Sequence, residues 1–307
     1  MTDRVIDLAE TPVTVRVRGR LLVIETDRQP PITIPPAELG AVAVAPQATL
    51  TGAALASLAE HNVPLVVTDA RRMPIAMLLP LAGNYVQAER FRRQAMASVP
   101  TRKRLWKQIV VAKVRNQAKV LERVHGMDFG LRDLARQVRS GDTTNIEGQA
   151  ARRYWAQVFK IPDFRRDPDG EDGINCRLNY GYAILRSIVS RAICAAGLHP
   201  SLGLHHHNRY NPFCLADDLM EPLRPLVDYH IAQKSDENTL AGTQLGPEEK
   251  REIIEPLLGK FRFGNAHRTI FDIAGRMATS LVKVFEGKAE KLSIPELWGR
   301  ERENGGR

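Results

Sequence analysis

With 307 residues, 43% hydrophobic and 26% charged, the chain can bury two separate cores, and it has no apolar run of about 18 residues to cross a membrane. Its formal charge of +9 is lopsided: residues 1–89 hold 7 Lys and Arg against 9 Asp and Glu, residues 90–307 hold 37 against 26. Cys176, Cys194 and Cys214 are odd in number, far apart and without a CxxC pattern, which excludes a disulfide framework and a structural zinc. That usage fits a reducing cytoplasm, and the N-terminus MTDRVIDLAETPV lacks the basic-then-apolar pattern of a secretion signal.

Residues 3–48 read as short strands. Val13–Val17 alternates, Gly19 breaks it, LLVIE follows at 21–25, and a Pro-rich IPPAE leads to Val42–Val44. Thr51 opens the helix TGAALASLAEHN with Asn62 as its stop; His61, at that end, suits a cap better than a ligand. Val63–Val67 is a buried strand, Asp69–Met73 a turn and Ile75–Leu79 another strand. This gives a small β-rich domain over residues 1–83 that carries nothing catalytic.

From Tyr85 the pattern turns helical, with candidates at 84–97, 101–125, 130–139, 144–158, 175–195, 215–231, 248–258 and 265–287. The whole is an α+β chain, a β-rich N-terminal domain followed by an all-α domain over residues 84–307. DFRRDPDGED at 163–172 reads as a polar surface loop, without the ligand ladder of a calcium loop. Leu297–Arg307 reads as a polar, frayed tail. No repeat and no Gly-rich phosphate loop is present.

Within the helical part, Arg90–Arg123 carries 11 basic residues and one acid, Glu122. Self-repulsion on that scale asks for a polyanion, and nucleic acid fits best. A membrane surface fits less well, because Trp106, Ile109, Val110, Val111 and Val114 form one core-facing stripe. The candidates for phosphate contact are Arg90, Arg92, Arg93, Arg102, Lys103, Arg104 and Lys107, joined by Arg152, Arg153, Arg209 and Arg224. Each of these is also compatible with a solvated helix face.

The chemistry concentrates in Leu204–Asp228. His205, His206 and His207 precede a helix start holding Asp217, Asp218 and Glu221, all within 17 residues. Asp218 and Glu221 lie at i, i+3 and Asp217 and Glu221 at i, i+4, so either pair can share a face. Carboxylates at a helix start need no function, because the macrodipole favours them there. Glu221 lies beyond that first turn, and two carboxylates with one imidazole suit Mg²⁺ or Mn²⁺. A second cluster, NIEGQAARRYWAQVF at 145–159, contains Glu147, which the spacing Thr144-x-x-Glu147 also explains as a capping box.

Two stretches in this order, NIEGQAARRYW (145–155) and HHNRYNPFCLADDLMEPLRPLVD (206–228), resemble the CRISPR-associated spacer-acquisition integrase. In flavour the chain resembles the versions that accompany single-protein (type II) effectors. The resemblance covers nearly the whole chain, TLTGAALASLAEHNVPLVVTDARRMPIAMLLP (49–80) falling in the family's small N-terminal domain. It implies a metal-dependent endonuclease acting in antiviral defence, with Glu147, His206 and Glu221 as catalytic metal ligands, Asp218 as their support or alternate, and Mg²⁺ or Mn²⁺ as cofactor. His206 is chosen over His205 and His207 because it keeps the family's spacing to the LADDLMEP helix. The resemblance also implies double-stranded DNA as substrate and a homodimer formed through the N-terminal domains. A small ferredoxin-like adaptation partner would complete a heterohexamer, with the type II effector as a further contact. Two other readings use the same residues: a branched- or single-stranded-DNA nuclease of repair, and a DNA-binding scaffold whose acids are only caps.

Overall fold

The computed structural model describes residues 4–8, 12–26, 29–69, 74–81, 84, 86–161, 164–170, 172–235, 245–264 and 266–298. The domain end near Gly83, most of the Asp69–Met73 turn and most of the C-terminal tail lie outside the described residues.

The N-terminal part is two four-stranded sheets closed on one core. β2 (Val13–Arg18), β3 (Leu21–Thr26) and β4 (Gln29–Ile34) form an antiparallel meander, with β6 (Thr49–Leu50) parallel to β2. Gly19 and Arg20, both at positive φ, form the two-residue β2–β3 turn that matches strand twist. β4 carries Pro30 and Pro31 and sits at the sheet edge, where missing N–H groups cost little. The other sheet runs β1 (Arg4–Leu8), β5 (Leu39–Val44), β7 (Leu65–Thr68), β8 (Pro74–Leu78), parallel except for the last pair. Val13, Val15 and Ile24 of one sheet meet Val42, Val44 and Leu65 of the other, with Leu58 of α1 (Gly52–Glu60) filling the same core. Asn62 at φ 55° stops that helix, and His61 Nδ1 bonds the Ser57 carbonyl at 2.8 Å as a cap.

The larger part is built on α3 (Val99–His125), whose apolar stripe is buried at Trp106, Ile109, Val110 and Val114 and half-buried at Val111. Pro100 opens that helix rather than breaking it, occupying the first turn where its missing N–H is not needed. Around α3 lie α2 (Gln87–Ala95), α4 (Leu131–Gln137), α5 (Ile146–Trp155), α6 (Gly173–Ala195), α7 (Cys214–Met220), α8 (Arg224–Lys234), α9 (Pro247–Leu257) and α10 (Ile270–Phe285). Two expectations are corrected. The single helix over 215–231 is two helices, because Pro222 cannot continue the first; its carbonyl is taken at 2.8 Å by buried Asn116 of α3. The helix expected from residue 265 starts at Ile270, and the domain is not purely α. Residues Lys260–Phe263 (β9) and Ala266–Thr269 (β10) form a hairpin, with Gly264 at φ 59° in its turn and Thr269 capping α10.

The two parts meet at a buried clamp. Asp7 of β1 accepts the Tyr180 hydroxyl of α6 at 2.7 Å and pairs with Lys250 of α9 at 2.8 Å. The Lys250 side chain is only 2% exposed. Nearby, Gly40 of β5 lies against the Phe271 ring so closely that a Cβ there would sit 2.2 Å from it. Among the described residues no helix is long and apolar enough to cross a membrane, and the three cysteines are buried and form no disulfide.

Candidate active site

Asp218 organises the histidine loop. It is fully buried on α7, and its Oδ2 accepts the Leu204 N–H at 2.5 Å and the His205 N–H at 3.0 Å. Its Oδ1 accepts the His206 N–H at 3.2 Å and the His206 ring Nδ1 at 2.7 Å. Only glycine fits at 203, where a Cβ would stand 2.2 Å from the His206 carbonyl and 3.0 Å from Asp218 Oδ2. The bond to Asp218, against some loss from burial, raises the His206 pKa and spends Nδ1, leaving Nε2 as the nitrogen that can ligate. His205 instead stacks flat on Trp106 with centroids 4.2 Å apart, and burial lowers its pKa. His207 turns back, its Nδ1 bonding the His205 carbonyl at 2.7 Å. With its oxygens so engaged, Asp218 holds the loop in place. Asp217 is likewise occupied, by Arg186 at 2.7 Å and Asn211 at 2.7 Å.

Glu147 and Glu221 converge on one ammonium. Lys113 Nζ stands 2.6 Å from Glu147 Oε1 and 2.5 Å from Glu221 Oε2, and Arg224 Nε lies 2.8 Å from Glu221 Oε1. Burial would raise the Glu221 carboxyl, but Arg224, Lys113 and, more weakly, His206 reverse this and hold it at about 2. Burial also works against Lys113, yet the two carboxylates keep its pKa raised. The capping-box reading of Glu147 is corrected. The N-cap of α5 is Asn145 at φ 51°, which accepts the Gly148 N–H at 3.1 Å. Asp142, held by a turn through Gly141 at φ 73°, accepts the Ile146 and Glu147 amides, both at 2.9 Å. The helix start is satisfied without Glu147, whose side chain is therefore available to face α3.

The geometry thus brings Glu147 and Glu221 to one point, with the His206 imidazole held by Asp218 on the loop that precedes α7. Among the described residues no group of three or more His, Cys, Asp or Glu side chains is placed to hold a metal ion. The donor set nevertheless suits a hard divalent cation: two carboxylates already share one positive charge, beside an imidazole with one ring nitrogen spent.

A family model described as CRISPR associated protein Cas1 matches residues 8–254. The chain belongs to the Cas1 family. The CRISPR-associated endonuclease Cas1 of Neisseria meningitidis serogroup C (strain 8013) is 35% identical over 270 residues, 86% of this chain and 87% of that protein. A casposase bound to integration product shares the fold with a TM-score of 0.79 at 22% identity, over 94% of this chain and 92% of the other. A chain of a Cas6-RT-Cas1–Cas2 complex gives 0.74 at 18% identity, over 97% of this chain and 36% of its own length.

In this Cas1-family chain the candidate DNA-binding cations fall into distinct settings. Lys103, Arg104 and Lys107 are exposed along the first half of α3, and Arg92 is exposed on α2. Arg93 pairs with Glu89 at 2.7 Å, and Arg102 is half-buried. Arg90 bonds the Ala196 carbonyl at 2.8 Å and faces Glu286 at 3.7 Å, so it ties α2 to α6 and α10. Arg152 is exposed, whereas Arg153 bonds the Phe129 carbonyl at 3.1 Å. Arg209 stacks on Tyr210, 4.6 Å from its ring centre, and Arg224 is taken by Glu221.

Four features escaped sequence reasoning. Lys113 interrupts the apolar stripe of α3, and that interruption was the available signal. Trp106 belongs to that stripe, yet it also carries the His205 ring. Asp228 is buried and accepts hydroxyls from Tyr154 at 2.9 Å and from Tyr182; burial pushes its carboxyl up to about 6. Arg166, within the stretch read as a surface loop, reaches into a cavity shared with Glu221.

Proposed function

We propose that this chain is a metal-dependent DNA integrase and endonuclease that inserts short captured DNA into a CRISPR array. The observation that carries the reading is the convergence of Glu147 and Glu221 on a single positive charge beside an imidazole oriented by Asp218. Glu147, Glu221 and His206 would hold Mg²⁺ or Mn²⁺, which when bound polarises a phosphodiester and offsets charge on its oxygens. In the reaction a 3′-hydroxyl attacks a phosphorus of the array. One P–O bond forms as another breaks, the departing strand leaves as a 3′-hydroxyl, and the attacking proton is passed on, so no nucleotide is hydrolysed.

The chain's own groups supply orientation. Asp218 fixes the His206 ring, and the exposed cations of α3 hold phosphates without reading sequence. As partners we infer double-stranded DNA, a second copy of this chain paired through the N-terminal sheets, and a small ferredoxin-like adaptation protein completing a heterohexamer. The type II effector is a further contact.

The test offers a repeat-containing plasmid and a short duplex with 3′-hydroxyl ends, and measures strand joining. Glu147→Ala abolishes joining while leaving thermal stability and DNA affinity largely intact. Full joining by that variant with Mn²⁺ present overturns the assignment. Cleavage of branched DNA without any joining would instead favour a repair nuclease.

A further inference from the structure

Beside the carboxylate pair lies a cavity of about 550 Å³ that Lys113, Arg166, Arg186 and Arg224 all line. Three of these four cations are matched to carboxylates: Lys113 to Glu147 and Glu221, Arg186 to Asp217, Arg224 to Glu221. Arg166 is different. Among the described residues its partners are neutral oxygens only: the Asp167 carbonyl, Asn175 Oδ1 at 2.7 Å and Asn179 Oδ1 at 2.5 Å. Burial lowers its pKa, and the nearby Tyr182, Asp228 and Asp167 offset this only in part.

The placement is built, not incidental. Asn175 is 1% exposed, and besides accepting from Arg166 it accepts the Asp167 N–H at 3.0 Å and donates to the Arg165 carbonyl at 3.1 Å. Asn179 donates to the Pro168 carbonyl at 2.9 Å. Two amides on α6 therefore staple the loop and aim its arginine. The guanidinium lies over the Tyr182 ring at 5.5 Å, and Arg224 lies over the same ring at 4.5 Å. Among the described residues none of the acids lining the cavity forms an ion pair with this guanidinium. Glu221 is already paired, Asp228 is bonded by two tyrosine hydroxyls, and Asp169 belongs to an exposed part of the loop.

We propose that Arg166 is the phosphate-holding residue of a nucleotide-sized subsite, taking a phosphodiester adjacent in the strand to the one that reacts at Glu147 and Glu221. The proposal rests on the functional reading above. A planar guanidinium presents paired N–H donors that match phosphate oxygens, and the Trp155 ring at the cavity wall gives a nucleotide an apolar neighbour. The site is positional: it fixes strand register and reads no base.

The test uses the full chain in EDTA, so that binding is read without chemistry. The probe is a set of short DNA duplexes with single-stranded 3′ ends, each carrying one neutral methylphosphonate at a different position. In the wild type, one position near the 3′ end costs about 10-fold in affinity. Arg166→Gln shows the same loss with unmodified DNA and no further loss from the methylphosphonate at that position, while other positions stay additive. Asn179→Asp, which gives Arg166 a carboxylate of its own at the expense of the bond to the Pro168 carbonyl, behaves the same way. Additivity at every position in both variants makes Arg166 a loop anchor and overturns the subsite alone. A wild type that does not bind these duplexes overturns the functional reading and the subsite with it.

Discussion

Asp218 and Glu221 stand almost one turn apart and are both buried, yet they are satisfied in opposite ways. Asp218 is held by three backbone amides and one ring nitrogen, donors that cannot leave without unfolding the histidine loop. Glu221 is held by the ends of two long side chains, Lys113 and Arg224, which can swing away at the cost of rotamer changes. The difference separates scaffold from exchangeable site: a carboxylate bound by main chain fixes geometry, one bound by mobile cations can trade its partner for another positive charge.

Substitutions that collapse this distinction should have graded effects. Glu221→Gln removes the exchangeable charge and is expected to lower strand joining by about 10³-fold, read as a fall in kcat, with a lower melting temperature as Lys113 and Arg224 lose their shared carboxylate. Lys113→Met leaves two carboxylates facing each other. Metal-free protein should lose about 3 kcal/mol in a urea titration, and Mn²⁺ should raise its melting temperature more than the wild type's. Equal Mn²⁺ shifts in both proteins would show that Lys113 does not stand where the cation binds. Asp218→Asn turns an amide group toward donors that need an acceptor. It should cost about 2 kcal/mol whether or not metal is present, with joining about 10-fold to 100-fold slower. The smallest effect concerns acid. The Glu221 carboxyl sits at about 2 against an ordinary 4.5, so its stabilisation is complete above 4.5 and fades as pH falls toward 2. Stability of the Glu221→Gln protein should therefore change less steeply across that interval.

What could be read in the chain, and what could not, follows the range of the interactions. Val13–Val17, the Asn62 stop and the apolar stripe of α3 are local patterns, and they appear as expected. Glu147, His206 and Glu221 were picked out by resemblance; the structure brings Glu147 and Glu221 together on Lys113 and holds His206 on Asp218. The cap of α5 was misread because spacing favours Thr144, whereas the donors are taken by Asp142 and Asn145, each at a positive φ that spacing does not reveal. The split between α7 and α8 was legible at Pro222 and passed over. The β9–β10 hairpin was marked by Phe261 and Phe263 alternating before Gly264. Lys113 and Arg166 depend on partners brought together by tertiary packing, so no local rule assigns them.

The grip on Asp7 by Tyr180 and Lys250 has a mechanical consequence. Tilting the strand layer away from the helices would break the Asp7–Lys250 pair and the Tyr180 bond together, which opposes such a motion. Whatever docks on the strand layer therefore sits at a set reach from Glu147 and Glu221, and the molecule can serve as a calliper whose jaw opening is written into its own frame.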